Sequence, residues 1–75
     1  MSEHMNIQDA VLDECIRRVY PVTLFLMNGF QIRGVLKARD SFVVVLESDG
    51  KQQMIYMHAI STVSPLRPLN CLKNL

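Results

Sequence analysis

The chain has 75 residues, a formal net charge of +1, 49% hydrophobic and 20% charged residues. That length allows one domain, and the balance suits a globular chain rather than a disordered one. Near-neutral charge removes bulk electrostatic attraction as a route to nucleic acid, and the apolar runs are far too short to span a membrane.

A domain this small buries only about 60% of the surface its unfolded chain exposes, so it needs reinforcement from disulfides, metal or self-association. Cys15 and Cys71 form no ligand-spaced cluster. No signal peptide is read at the start, and free thiols in a reducing cytoplasm are expected. Self-association is the remedy left.

Residues 1–5 read as a flexible N-terminus and are set aside. A helix is predicted over about 7–18, with Asn6 as N-cap, Asp9 in the first turn, and Arg17 and Arg18 in the last. Val11, Leu12, Cys15, Ile16 and Val19 make its apolar stripe, and Pro21 ends it. The first strand spans about 21–27: Val22, Leu24 and Leu26 point one way, Thr23, Phe25 and Met27 the other. Asn28-Gly29 marks a hairpin, and the next strand, about 30–39, should bend at Gly34.

Arg39-Asp40-Ser41 reads as a turn. Phe42 to Leu46 is continuously apolar, which predicts a strand (about 42–48) covered on both faces. Asp49-Gly50 gives a second hairpin, followed by strands over about 51–57 and 59–64. Tyr56, Ile55, Ile60, Thr62 and Val63 are strand-forming types, and His58 falls at the junction of the two runs. Pro65 and Pro68 close the regular structure, and 69–75 form a short tail. The domain is therefore residues 6–68: mainly β, an N-terminal helix followed by five strongly bent antiparallel strands in a small, partly open barrel. Such a barrel leaves two strand edges free, and head-to-tail pairing of edges between copies closes a ring.

In this order and spacing, Gln8-Asp9, Pro21-Val22, Asn28-Gly29, Gly34, Asp40 with Phe42-Val43, and Tyr56-x-His58-Ala59-Ile60-Ser61-Thr62-Val63 resemble the Hfq family, the bacterial branch of the Sm-like proteins. The resemblance implies an Sm-like barrel, a homohexameric ring and an RNA chaperone that pairs small regulatory RNAs with messenger RNAs. It implies no cofactor, no metal, no membrane and no small-molecule substrate. On the helix side, the proximal face, it places Gln8, Ser41, Phe42, Met57 and His58 around uridine-rich RNA. On the distal face it places Phe25, Met27, Asn28, Gly29, Phe30, Gln31, Gln53 and Thr62 around adenine-rich RNA; choosing Gln53 over Gln52 turns on one residue of loop length. Arg17, Arg18 and Arg39 fall on the rim, and Tyr56, Ile60 and Ser61 at the subunit interface. Two positions depart from the family pattern. Met57 stands where a lysine is usual, and Ser41 where a glutamine is usual, which predicts weaker uridine binding with a shallower salt dependence.

Three other readings compete. Asp40, Tyr56, His58 and the serines can be assembled into a nuclease-like site, but no nucleophile–base spacing, phosphate loop or metal cluster supports it. A proline-rich-peptide module fits the small barrel, but such modules carry clustered aromatics, and this chain has two tyrosines and no tryptophan. An Sm-like ring of another type differs only in assembly.

Overall fold

The computed structural model describes residues 6–73. The expected flexible N-terminus, residues 1–5, and the last two residues of the tail lie outside the described residues.

Helix α1 spans Ile7–Arg17. Asn6 is extended, and its Oδ1 accepts the Asp9 N–H at 3.1 Å, which satisfies one of the donors a helix start leaves free. Leu12 and Cys15 are fully inside, and Val11 and Ile16 flank them half-buried. Val19 does not continue the stripe. It has φ 55° and is 57% exposed. The Val19 N–H donates to Ile16 O at 3.2 Å and the Tyr20 N–H to Cys15 O at 3.0 Å, the Schellman pattern that glycine normally closes. A β-branched residue in the left-handed region is strained by about 1–2 kcal/mol. Val19→Gly is therefore expected to stabilise the fold by about 1 kcal/mol despite glycine's entropy cost. A urea melt at fixed protein concentration measures this, and an unchanged or lower midpoint would contradict it.

The five strands are β1 Pro21–Leu26, β2 Gln31–Arg39, β3 Val43–Ser48, β4 Lys51–Tyr56 and β5 Ile60–Pro65. All pairings are antiparallel and the order is β4-β3-β2-β1-β5. Val22, Leu24, Leu36, Val44 and Leu46 fill the inner face beneath Leu12 and Cys15. The two hairpins differ in kind. At Asp49-Gly50 both residues have positive φ, as a two-residue type I′ turn requires. At Asn28-Gly29 only Gly29 does (φ 93°), and the Gly29 N–H donates to Leu26 O.

Gly34 sits in β2 opposite Val22, where a Cβ would lie 2.2 Å from the Glu47 carbonyl oxygen of β3. The sheet folds onto itself here because no side chain intervenes. The pairing shift itself falls further along, between Leu36 and Ala38.

Three sequence expectations are corrected. Phe42 is not part of a doubly covered strand: it precedes β3 and is 74% exposed. The β4 strand stops at Tyr56, and Met57–Ala59 form one 3-10 turn before β5. Residues 69–73 are not a simple tail. The Leu66 N–H donates to Pro21 O at 2.9 Å, and Leu69 packs against the core.

Candidate nucleic-acid interface

The residues expected on the proximal face come together at one end of the barrel. Asp40 accepts the N–H groups of Phe42 at 2.7 Å and Val43 at 2.9 Å, a side-chain-closed turn that carries Ser41 and presents the Phe42 ring to solvent. These two donors hold the Asp40 carboxyl below the usual carboxylate range. The Met57 N–H donates to Phe42 O at 2.7 Å, so the Phe42 turn and the 3-10 turn are fastened to each other. His58 is exposed, and its ring stacks on Tyr56 with centroids 5.5 Å apart and planes 22° apart. Met57 is half-buried against the core and, with Gln8, Val11, Leu12 and Ile60–Val63, lines an open cleft of about 300 Å³ between α1 and β5. Gln8 thus stands at the same end as Ser41, Phe42, Met57 and His58.

A second group forms on the outer face of the sheet. Phe25 in β1 pairs with Gln31 on one side and Thr62 on the other, so the three make a row across β2, β1 and β5. Met27 and Phe30, both more than two-thirds exposed, extend this row at the turn. Asn28 Oδ1 accepts the Phe30 N–H at 3.0 Å, and the Met27 N–H donates to Ala59 O at 2.8 Å, which fixes the turn over the sheet end. The Ser61 hydroxyl donates to Phe25 O at 3.1 Å, across the register shift between β1 and β5. Gln53 is separate from the row: it shares a shallow depression with Ile32, Ser48, Asp49 and Lys51. Gln52, opposite Glu47, is on the other side of the strand.

The rim residues divide. Arg17 and Arg18 are exposed at the end of α1. Arg39, expected beside them, is committed elsewhere. Its Nε and Nη2 donate to both carboxylate oxygens of Asp13 at 2.9 Å, its Nη1 donates to Asp9 Oδ1 at 2.8 Å, and its side chain is 17% exposed. This bidentate fork pins the helix to β2 and lowers the Asp13 carboxyl below its ordinary range, chiefly through the Arg39 hydrogen bond. The two strands that form the sheet's edges, β4 and β5, carry the residues expected at a subunit interface: Tyr56 on one, Ile60 and Ser61 on the other. Met54 and Tyr56 leave more than half of their surface exposed along β4.

Sequence reasoning missed Glu14, which is fully buried and receives backbone hydrogen bonds from Asn70 and Cys71. The signal was a carboxylate inside the apolar stripe, three residues after Val11, beside Cys15 and four before Arg18. Both cysteines are free thiols, with Cys15 buried. Among the described residues no group of three or more His, Cys, Asp or Glu is placed to hold a metal ion, and no helix is long and apolar enough to cross a membrane.

Comparison with known proteins gives a consistent result. The family model described as "Hfq protein" matches residues 7–70. The "RNA-binding protein Hfq" of Desulforamulus reducens is 59% identical over 66 residues, covering 88% of this chain and 82% of that protein. That of Clostridium perfringens is 56% identical over 64 residues, covering 85% and 80%. A crystal structure of "the pleiotropic translational regulator, Hfq" superposes with a TM-score of 0.77 at 49% identity, covering 79% of this chain and 98% of that one. A helix set on a five-stranded bent sheet and similarity over nearly the whole described chain lead to one assignment: this chain belongs to the Hfq family.

Proposed function

We propose that this chain is an RNA-binding chaperone that holds small regulatory RNAs and messenger RNAs on separate faces of a homohexameric ring and promotes their pairing. The observation that carries the reading is the cross-strand row Gln31–Phe25–Thr62, extended by Met27 and Phe30. It sets aromatic and thioether surface, with hydrogen-bonding groups at its margins, on the outside of a rigid sheet. That combination stacks on any nucleobase and reads its edge. Ring closure follows from the two unpaired edges: β4 of one copy adds to β5 of the next, the contact is head-to-tail, and a fixed rotation closes it. Closure also covers Met54 and Tyr56 and supplies the burial that one small domain lacks.

The adenine-rich strand lies on the distal row. Uridine-rich ends lie around the pore against Phe42, His58, Gln8 and Ser41, where Met57 provides no charge. Arg17 and Arg18 meet phosphates along the rim. The work is binding rather than catalysis; it takes no cofactor or small-molecule substrate, and its place is the cytoplasm.

Native mass spectrometry followed by titration with oligoadenylate and oligouridylate tests this. The ring is expected to bind adenylate strongly and uridylate weakly. Phe30→Ala removes one exposed stacking surface and is expected to weaken adenylate binding about tenfold, the effect of losing roughly 1.4 kcal/mol of stacking. A species that stays monomeric and binds neither oligonucleotide would return the chain to the class of peptide-binding barrels.

A further inference from the structure

The segment after β5 is a docked strap: the Leu66 N–H on Pro21 O and Leu69 on the core hold its first half, and one buried carboxylate holds its second. Glu14 has no exposed surface. Its Oε2 and Oε1 accept the Asn70 N–H at 2.9 and 3.1 Å, and Oε1 also accepts the Cys71 N–H at 2.8 Å. Arg18, one helical turn on, places Nε 3.3 Å from Oε2 while its side chain stays 44% exposed. Burying a carboxylate is tolerated only when its oxygens are fully partnered. Among the described residues, the polar partners of this carboxylate come from the strap and from Arg18. The Lys73 N–H donates to Asn70 O at 3.1 Å, which closes a turn immediately after the latch and leaves the Lys73 side chain exposed. Arg18 is the cation paired with Glu14, while Arg17 beside it on α1 and Lys73 on the strap that Glu14 holds are exposed.

We propose that Glu14 is a positioning residue for RNA at the outer side of the ring: it latches the strap Leu66–Lys73 onto α1, so that Lys73 joins Arg17 and Arg18 in one phosphate-binding edge. The inference rests on the RNA-binding reading above and deepens it. The ligand chemistry is the phosphate backbone of structured RNA, read by charge and not by base. Glu14 itself is sealed from solvent, so it does not repel that backbone at close range. It orients Arg18 through Nε and fixes the strap through main-chain donors, and neither role uses up Lys73 or Arg17.

The test pairs amide hydrogen exchange with RNA titration across a potassium chloride series, on the full chain. The probe is an RNA hairpin with no single-stranded adenine or uridine tract, and oligoadenylate is the parallel ligand. Glu14→Gln replaces one accepting oxygen by an amide that faces N–H donors. It is expected to lower protection at Asn70 and Cys71 at least tenfold and to make the hairpin salt slope shallower, with oligoadenylate binding unchanged. Lys73→Gln carries no folding risk. It is expected to leave that protection intact and reduce the slope by about one phosphate contact. Lost protection with an unchanged hairpin slope in Glu14→Gln, or an unchanged slope in Lys73→Gln, would overturn the proposal. Intact oligoadenylate binding in those same samples confines the failure to the strap, whereas a wild type that binds neither RNA brings down the RNA-binding reading with it.

Discussion

Gly34→Ala is expected to be the most damaging single-methyl change in the described chain. A Cβ at this position would stand 2.2 Å from the Glu47 carbonyl oxygen, 3.0 Å from its carbonyl carbon and 3.2 Å from Leu46 Cγ. The first two are backbone atoms of β3, and the third belongs to a fully buried core residue. No side-chain rotation relieves such a contact, so β3 must move away from β2 and carry Val44 and Leu46 out of register with the core. Forcing extra volume into a packed interior costs about 1–3 kcal/mol when side chains alone adjust. Here the backbone must shift, and the cost should reach or exceed the top of that range. A domain of this length has only about 5 kcal/mol to lose. The expected result is a urea midpoint lowered by more than half, with little assembled species in native mass spectra. Gly50→Asn is the control: Gly50 has φ +78°, and a Cβ there would meet nothing within 4 Å, while asparagine tolerates the left-handed region. It should change the midpoint little. If Gly34→Ala melts with the wild type, the close approach of β2 and β3 is not what bends the sheet.

That glycine also marks where sequence reasoning reaches and where it stops. The signals that located turns are local: Pro21 ends the helix, and Asn28-Gly29 and Asp49-Gly50 close the two hairpins. Local chemistry decides such features, so they were legible. Gly34 was legible as a bend, but the carbonyl it makes room for belongs to Glu47, on the next strand. Arg39 read as a rim cation because its partners, Asp9 and Asp13, come from a helix that only the fold brings beside it. Val19 fitted the helical stripe by spacing, yet the chain had already turned at Arg18. The 3-10 turn at Met57–Ala59 left a fainter trace, since none of those three residues is β-branched or a strand-favouring aromatic, while Ile55-Tyr56 before them and Ile60 after them are strand-forming. Phe25 was legible by alternation with Val22, Leu24 and Leu26, whereas Thr62 came from resemblance alone and the strand pairing sets it beside Phe25. Gln53 was placed on the distal face by resemblance, and within one copy it lies away from that row.

Met57→Lys is expected to convert a weak uridine site into a strong one. Met57 is held by its N–H on Phe42 O, and its side chain runs from the 3-10 turn along the core toward the cleft that Gln8 shares. Lysine has a stem of comparable length, so it can lie along the same apolar wall and carry its ammonium to the open end. The turn, the Phe42 ring and the Tyr56–His58 stack need not move. Around a ring, one added cation per copy converges on the pore, where uridine-rich ends lie in the function proposed above. Each lysine that meets a phosphate on single-stranded RNA steepens the dependence of log affinity on log salt by about 0.7. Several engaged at once should therefore steepen the slope by roughly 2–4 and raise oligouridylate affinity at least tenfold at low salt. Oligoadenylate should be unaffected, because the distal row lies on the outer sheet face and gains no charge. The opposed responses of the two ligands separate a local electrostatic gain from a general increase in stickiness. A variant with unchanged oligouridylate affinity and salt slope would mean that Met57 does not face RNA, and that the short Ser41 side chain or the Phe42 turn sets uridine affinity instead.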